Sequence, residues 1–433
     1  MARSVLTLLA LVFGVSASAQ ERIDLKEALA RAQKKSPDYD ILVQTENQGR
    51  LGYKNSWSEL LPQLDLEARH GYARQGGNSF YATTPQTHPW QSALGITLTE
   101  NLYDNGKSWN DMEIADLTRQ SSSLGRERGR QQLMLTVAQA FYDYSSAVGN
   151  LELQKQQIDA IRQQFKTING RYRNGVSSNR DFLRIKAQLE RSEVDLANQE
   201  VTVEQSREAL RVAIGESTAV DFIPFVPQTG LVDKLAFPKV QADQTADFRI
   251  AKMQDQISDI QYREVQREDW PRVSLQGSAS YNDPAYIGGR TEFVDDSYWN
   301  YSAMLVIDYS LWDWGIRRRN VEIADNQRRV DKDKQQKSRI QIYQDLNRLD
   351  VLIAQYIKSY SKSRQIMKDE EAVYASLNLG YRDSKVTYLD LITGLNDLYA
   401  SRTQNLSLQY NLLKARANLA FYQGNLDEIL MAN

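Results

Sequence analysis

Few residues in this chain could do covalent or metal chemistry. Among 433 residues there is no cysteine, and the only histidines are His70 and His88. Without a thiol there is no thiolate nucleophile, no cysteine-ligated metal, no disulfide and no acyl anchor on an N-terminal Cys. Two imidazoles are too few for a metal cluster or a catalytic triad. Asn105-Gly106-Lys107-Ser108 brushes against a phosphate-binding loop, but Asn101 stands where the upstream glycine belongs. It reads better as a strand-end turn followed by a helix start. The triplet Arg317–Arg319 directly follows a strand-like segment, where basic side chains meet membrane headgroups. A net charge of −2 gives no electrostatic case for a nucleic-acid partner. No enzyme, cofactor or metal is expected, so the elements themselves must carry the function.

The first nineteen residues read as a secretory signal peptide, with an N-terminal membrane anchor as the alternative. Residues 1–19 carry Arg3, an apolar run from Val5 to Val15, and Ala17-Ser18-Ala19 as a small-x-small cleavage site before Gln20. The run is shorter than the roughly 20 residues that span about 30 Å of hydrocarbon. No later stretch reads as a membrane helix. Entry into a membrane would therefore have to be as strands.

A displacement of 209 residues brings the chain into register with itself. Leu102-Tyr103-Asp104-Asn105-Gly106 meets Leu311-Trp312-Asp313-Trp314-Gly315, and Glu113–Asp116 meets the identical Glu322–Asp325. Pro62 meets Pro271, Tyr72 meets Tyr281, Asp181 meets Asp390, and Gly215 meets Gly424. The pattern predicts two tandem repeats, 20–215 and 246–433, joined by an irregular Pro-bearing connector over 216–245. Each unit far exceeds the roughly 20–50 residues of a solenoid repeat.

Inside each repeat the hydrophobic period changes. A helical region comes first: Asp24–Leu60, broken at Ser36-Pro37, and its counterpart Ala246–Asp269. Period-two alternation follows, predicting strands over about 63–74 and 91–103, then about 272–282 and 299–312. Each is about ten residues, enough for a tilted strand to cross a bilayer. Long helices come last, with apolar positions spaced 4,3,4,3 from Leu133 to Tyr172 and from Ile342 to Tyr381, the signature of supercoiling neighbours. Partner helices are expected over Ser178–Ile214 and Val386–Tyr422. The repeated five-residue phrase thus closes a strand and opens a helix: an aromatic at the membrane edge, an Asp cap and a turn-forming Gly.

Four such strands cannot enclose a lumen, and each unpaired edge group in hydrocarbon costs several kcal/mol. Either the strands belong to a soluble domain, or several copies share one barrel. Three copies would supply twelve strands, though the residues alone do not choose three over four.

The motifs LLPQLDLEARHGY, GITLTENLYDNGKSWNDMEIADL and YRNGVSSNRDFLRIKAQLERSEVDLANQE, with the doubled architecture, make the chain resemble the TolC-type outer membrane efflux protein family over nearly all of its mature length. The resemblance implies a mainly α fold with a transmembrane β-barrel: a homotrimer with four strands per protomer, a twelve-stranded barrel among outer membrane lipids, a periplasmic tunnel of twelve helices and an equatorial belt. It also implies docking to a periplasmic adaptor (membrane fusion) protein and an inner-membrane transporter, for multidrug export or type I secretion. Aligned on YLDLITGLNDLY, it implies a pore constriction at Asp390 and a gate at Tyr381 with partner Asp181. Thr393 stands where a second constriction Asp belongs, and Val386 where a gate Arg belongs, with Lys385 as its neighbouring substitute. The adaptor-docking tip falls on Asn174, Gly175 and Val176, and in the second repeat on Ser384, where the Gly is lost. The competing readings are a soluble periplasmic coiled-coil adaptor, or a surface receptor working through the loops Gln75–Pro89 and Asp283–Asp296.

Overall fold

A computed structural model describes residues 22–72, 90–218, 220–227, 235–284, 298–383 and 385–431. The expected leader, His88, the loop Gln75–Pro89, most of Asp283–Asp296, part of the connector and Ser384 lie outside the described residues. The order is β1 (Arg22–Ile23), α1 (Leu25–Lys35), α2 (Pro37–Ser58), β2 (Gln63–Tyr72), β3 (Trp90–Tyr103), α3 (Lys107–Arg173), α4 (Asn179–Ile214), β4 (Asp221–Phe222), α5 (Ala246–Gln266), β5 (Arg272–Pro284), β6 (Tyr298–Asp308), α6 (Ile316–Arg382), α7 (Tyr388–Gln423) and α8 (Leu426–Met431). The helices α3 and α6 have 67 residues each, and α4 and α7 have 36 each. At 1.5 Å per residue, 67 residues make about 100 Å of helix. Among the described residues no helix is long and apolar enough to cross a membrane.

Two compact units share the chain: Met1–Tyr39, Gly129–Val240 and Leu346–Asn433 form one, Asp40–Arg128 and Gln241–Asp345 the other. The second unit holds a four-stranded antiparallel sheet in the order β2-β3-β5-β6. Its register puts like with like. Leu66 pairs with Ile96, Ile96 with Ala279, and Ala279 with Tyr301; one residue away, Glu67 pairs with Gly95, Gly95 with Ser280, and Ser280 with Asn300. Directly opposed residues share a face, so the period-two pattern becomes one apolar face and one polar face. The apolar face has no cover: Leu64, Leu66, Tyr301, Leu305 and Ile307 are all exposed.

β6 stops at Asp308, short of the expected 312. Its sole ladder partner in the sheet, β5, begins at Arg272, which pairs with Asp308, and Pro271 before it has no N–H to donate. By contrast β3 is paired on both sides and continues to Tyr103, past a register shift at Asn101.

The first unit has a conventional core. α1 buries Leu25, Ala28, Leu29 and Ala32, one helical face. They join Met134, Leu135, Val137, Ala138, Phe141 and Tyr142 of α3, Leu210 and Ile214 of α4, and Leu426 and Leu430 of α8 in one cluster. Tyr142 meets Phe225 of the connector edge-on at 5.9 Å. The 4,3 stripe contains Val137, but Met134, Leu135, Phe141 and Tyr142 fall outside it. α3 buries a broader surface here because the cluster packs it against several elements at once.

Glu216 ties this core together. It is 8% exposed, and accepts from Lys35 Nζ at 2.5 Å and Thr218 Oγ1 at 3.0 Å. The Lys35 hydrogen bond, helped by Thr218 and by the charges of Lys35 and Arg31, outweighs burial and holds the carboxyl below its ordinary value. A lowered folded-state pKa means the contribution is complete above the unfolded value of about 4.5 and is lost as pH falls through the folded one. Glu216→Gln should cost about 2 kcal/mol at neutral pH and remove that part of the acid-induced fall in melting temperature. Superimposable melting curves from pH 3 to 7 would show that the pair contributes nothing.

Candidate gate and channel-lining site

The described residues among those singled out at the hairpin ends lie in the first unit. The turn between α3 and α4 needs a left-handed residue, and Gly175 supplies it at φ 75°. The Val176 N–H then reaches back to the Arg171 carbonyl at 2.8 Å. In the second hairpin the equivalent Lys385 N–H reaches the Gly380 carbonyl, also at 2.8 Å. The same turn is closed twice, although Gly175 has Ser384 as its counterpart in sequence. Asn174, Gly175 and Val176 are exposed, Val176 at 74%.

The two hairpins differ in how tightly they close. A Cβ built on Gly380 would sit 2.5 Å from Val386 Cγ2, and one on Gly394 would sit 2.5 Å from Leu377 Cδ1. Both contacts zip the end of α6 to the start of α7. The first-repeat counterparts are Arg171 and Ile185, side chains that exclude such an approach. Val386, where a gate Arg is implied, is therefore a packing residue. Lys385 points its charge at Asp383, 3.6 Å away, rather than at Asp181.

Between the hairpins lies an apolar cluster of Ile161, Ile168, Ile185, Tyr388, Ile392, Leu395 and Tyr399, with Phe182, Tyr374 and Tyr381 packed against it. Tyr381 is half-buried. The Arg171 guanidinium lies 5.0 Å from its ring centroid. Burial pushes the Tyr381 phenol up, and Arg171 opposes that shift. Asp181 acts on the same phenol through its charge while accepting from Ser178 Oγ at 2.7 Å. The structure thus brings Tyr381 and Asp181 into one neighbourhood, with Arg171 as the residue that touches the tyrosine.

Sequence reasoning passed over Arg171 and Tyr388. Tyr388 is 6% exposed, and its hydroxyl has no hydrogen-bond partner among the described residues. Burial raises its phenol well above the ordinary value, and the charges of Tyr381 and Asp181 add to the effect. Nothing in the one-dimensional pattern distinguishes this buried tyrosine from any other apolar-face aromatic.

Asp390 occupies the third position of α7 and completes a capping box: Thr387 Oγ1 accepts from the Asp390 N–H at 3.2 Å, and the Asp390 carboxylate accepts from the Thr387 N–H at 3.3 Å. Asp181 holds the matching position in α4, where Ser178 is the cap. Asp390, Thr393 and Asp397 are all exposed and spaced three and four apart, so they share one outward face of α7. Asp397, two turns beyond Asp390, is a carboxylate on this face that the alignment of motifs did not single out. Among the described residues no group of acidic or histidine side chains could hold a metal ion.

Comparison with known proteins agrees with this architecture. A family profile described as outer membrane efflux protein matches residues 20–216. The outer membrane protein TolC of Salmonella enteritidis is 22% identical over 408 residues, covering 91% of this chain and 79% of that protein. TolC of Vibrio cholerae is 24% identical over 243 residues, 56% of this chain and 52% of its own. Among solved structures, the outer membrane protein VceC of Vibrio cholerae superposes with a TM-score of 0.74 at 17% identity, over 93% of this chain and 95% of its own. The open state of the Neisseria gonorrhoeae MtrE outer membrane channel gives 0.75 at 20% identity, over 93% and 89%.

Proposed function

We propose that this chain is a member of the TolC-type outer membrane efflux protein family, and that three copies pool their sheets into one twelve-stranded barrel that opens into a helical tunnel. The protein is an outer membrane efflux channel. The observation that carries the trimer is the four-stranded sheet, with an uncovered apolar face and free edges on β2 and β6. A water-soluble adaptor would not leave that face bare, whereas lipid covers it at no cost. Hydrocarbon also forbids unpaired edges, so β6 of one copy must pair with β2 of the next until the ring closes.

The tunnel is passive. A periplasmic adaptor and an inner-membrane transporter supply selection and energy for export of small toxic compounds or proteins, and the exposed Asn174-Gly175-Val176 turn is the adaptor's docking point. The family is one of transport channels, not enzymes, and the chain works without catalytic groups. The face of Asp390, Thr393 and Asp397 lines the narrow end of the tunnel, and Tyr381 with Asp181 and Arg171 gates it.

Native mass spectrometry of detergent-extracted protein, paired with planar-bilayer recording, tests the assembly. Three copies per particle and a stepwise ion current are expected. A monomer that needs no detergent and carries no current would overturn the proposal.

A further inference from the structure

The free edges of β6 and β2 await a joint with another copy, and the internal repeat supplies a template for it. β2 opposes β3 with Gln63 facing Thr99, and β5 opposes β6 with Arg272 facing Asp308. Both members of the second pair lie 209 residues beyond those of the first, so the offset in sequence is also the offset in structure. The joint between the repeats, β3 against β5, sets Leu98 opposite Gly277 and Gly95 opposite Ser280. Moving its first member forward by 209 and its second back by 209 yields a joint of β6 with β2. Ile307 then opposes Ala68, and Met304 opposes Gly71. Parity is kept, since the first pair belongs to the apolar face and the second to the polar face.

Burial marks the helix flank that lacks a neighbour. Ile260 of α5 is 2% exposed, whereas its first-repeat counterpart on α2, Leu51, is 52% exposed. α5 meets α3 on one flank, where Glu264 holds Lys107 at 3.3 Å and Asp247 holds Arg128, and α6 on the other, where Arg328 lies 4.4 Å from the Tyr262 ring centroid. On α2 the ion pair and the ring contact both go to α3: Glu46 with Arg126 at 2.8 Å, and Tyr53 under Arg119 at 5.4 Å. Charge fits the bare flank to a second copy. The gap between α3 and α5 is an open groove of about 920 Å³, lined by Glu113 and Asp116 on one side and by Asp259 and Arg263 on the other. Carried over by 209, the first pair becomes Glu322 and Asp325 of α6, and the second becomes Arg50 and Lys54 of α2. Two acids that faced an acid and a base now face two bases. Asp325 is held by Arg328 and Arg329, each at 2.7 Å. Glu322 and Lys54 are exposed with no ion-pair partner among the described residues, and Arg50 meets Asn47 at 3.4 Å.

We propose that copies join through the chain's own β3/α3–β5/α5 joint repeated between them: Met304 of β6 lies opposite Gly71 of the next copy, and Glu322 of α6 pairs with Arg50 and Lys54 of that copy's α2. The occupant of the bare flank is a second copy because the flank and the open strand edges are consecutive in the chain, α2 leading into β2 and β6 into α6. All of these residues lie in the second unit. The joint gives β6 the second neighbour that β3 has, so β6 runs on to Trp312, the counterpart of Tyr103 where β3 ends. It also opposes Asp308 to Glu67 of the next copy, a like-charge pair. Arg272 opposite Asp308, and Arg69 at 2.6 Å from Glu67, offset that repulsion. The rival register, two residues along, sets Asp308 against Arg69 and breaks the repeat.

This inference rests on the shared-barrel reading, and its test separates the two. The chain contains no cysteine, and β2 and β6 are opposite edges of the sheet, so Met304→Cys with Gly71→Cys can form a bridge only between copies. Directly opposed strand residues lie about 4.5–5.5 Å apart, within the roughly 4.4–6.8 Å that a disulfide spans. Diagonal neighbours, about 7–8 Å apart, fall outside it. Mild oxidation of the full chain in membranes should link three copies covalently on a non-reducing gel. Met304→Cys with Arg69→Cys should give several-fold less product. More bridging through 69 than through 71, or none through either in particles that native mass spectra count as three copies, overturns the register. A monomer in those spectra sinks the shared barrel instead. For the helices, Glu322→Lys should reduce several-fold the share of three-copy particles that survive mild heating in detergent, and adding Arg50→Glu and Lys54→Glu should restore it. An unchanged share, or a loss that the charge swap does not rescue, overturns the ionic contact.

Discussion

Channels carrying Tyr381→Phe should spend several-fold more time open in planar bilayers than the unaltered protein. The substitution keeps the ring, so the apolar cluster around Ile161, Ile168 and Ile185 stays filled, and it removes only the hydroxyl, on which the charges of Arg171 and Asp181 act. An ordinary polar interaction of a hydroxyl contributes about 0.5–1.5 kcal/mol, and each 1.4 kcal/mol is about tenfold in an equilibrium. The cation–π contact from Arg171 survives in Phe, weakened, which keeps the loss within that range. Tyr388→Phe is the matched control, since the hydroxyl it removes has no partner among the described residues. Deleting an unpaired buried polar group is neutral or stabilising, so this variant should leave the open fraction unchanged or lower it. Equal behaviour of the two variants would mean that both tyrosines serve packing alone, and an unaltered Tyr381→Phe channel would remove it from the gate.

Asp390→Asn should lower the permeability ratio of cations over anions and weaken block by multivalent cations, by roughly an order of magnitude in the blocking constant, since rings of carboxylates set cation selectivity at a constriction. The capping role makes the substitution clean. Asparagine caps and borders helices nearly as well as aspartate, so its carbonyl oxygen can still take the Thr387 N–H, and α7 should start where it does now. Loss of charge is then separated from loss of structure. Thr393→Asp, one turn along the same exposed face, should move selectivity in the opposite direction. Single-channel reversal potentials in a salt gradient read both variants. If Asp390→Asn matches the wild type while Asp397→Asn does not, the constriction lies two turns further along α7.

How far this was legible from the residues depends on how local the signal was. The long helices start and stop at positions 209 residues apart because hydrophobic spacing, caps and turn residues all act within a few residues. The strands were legible for the same reason, and the sheet's faces follow directly from their parity. Where β6 ends was not legible, because an edge is decided by where β5 begins. Met134 and Tyr142 escaped the coiled-coil stripe because their partners come from α1 and the connector, more than a hundred and some eighty residues away in the case of Gln33 and Phe225 respectively. In the candidate gate, Tyr381 and Asp181 came from motif resemblance, while Arg171 and Tyr388 became visible only once two hairpins were packed together.

By itself the amino-acid order determined the doubling, the element types, the amphipathic sheet and the absence of thiol chemistry, since each is a property of neighbours along the chain. Tertiary structure alone decided which tyrosine is buried with its hydroxyl unpaired among the described residues, which face of α7 stays exposed, and why one left-handed turn hides Asn105 while its twin displays Trp314. Those outcomes depend on what distant segments bring within a few ångströms, where hydrogen bonds and desolvation operate, and no periodicity records that.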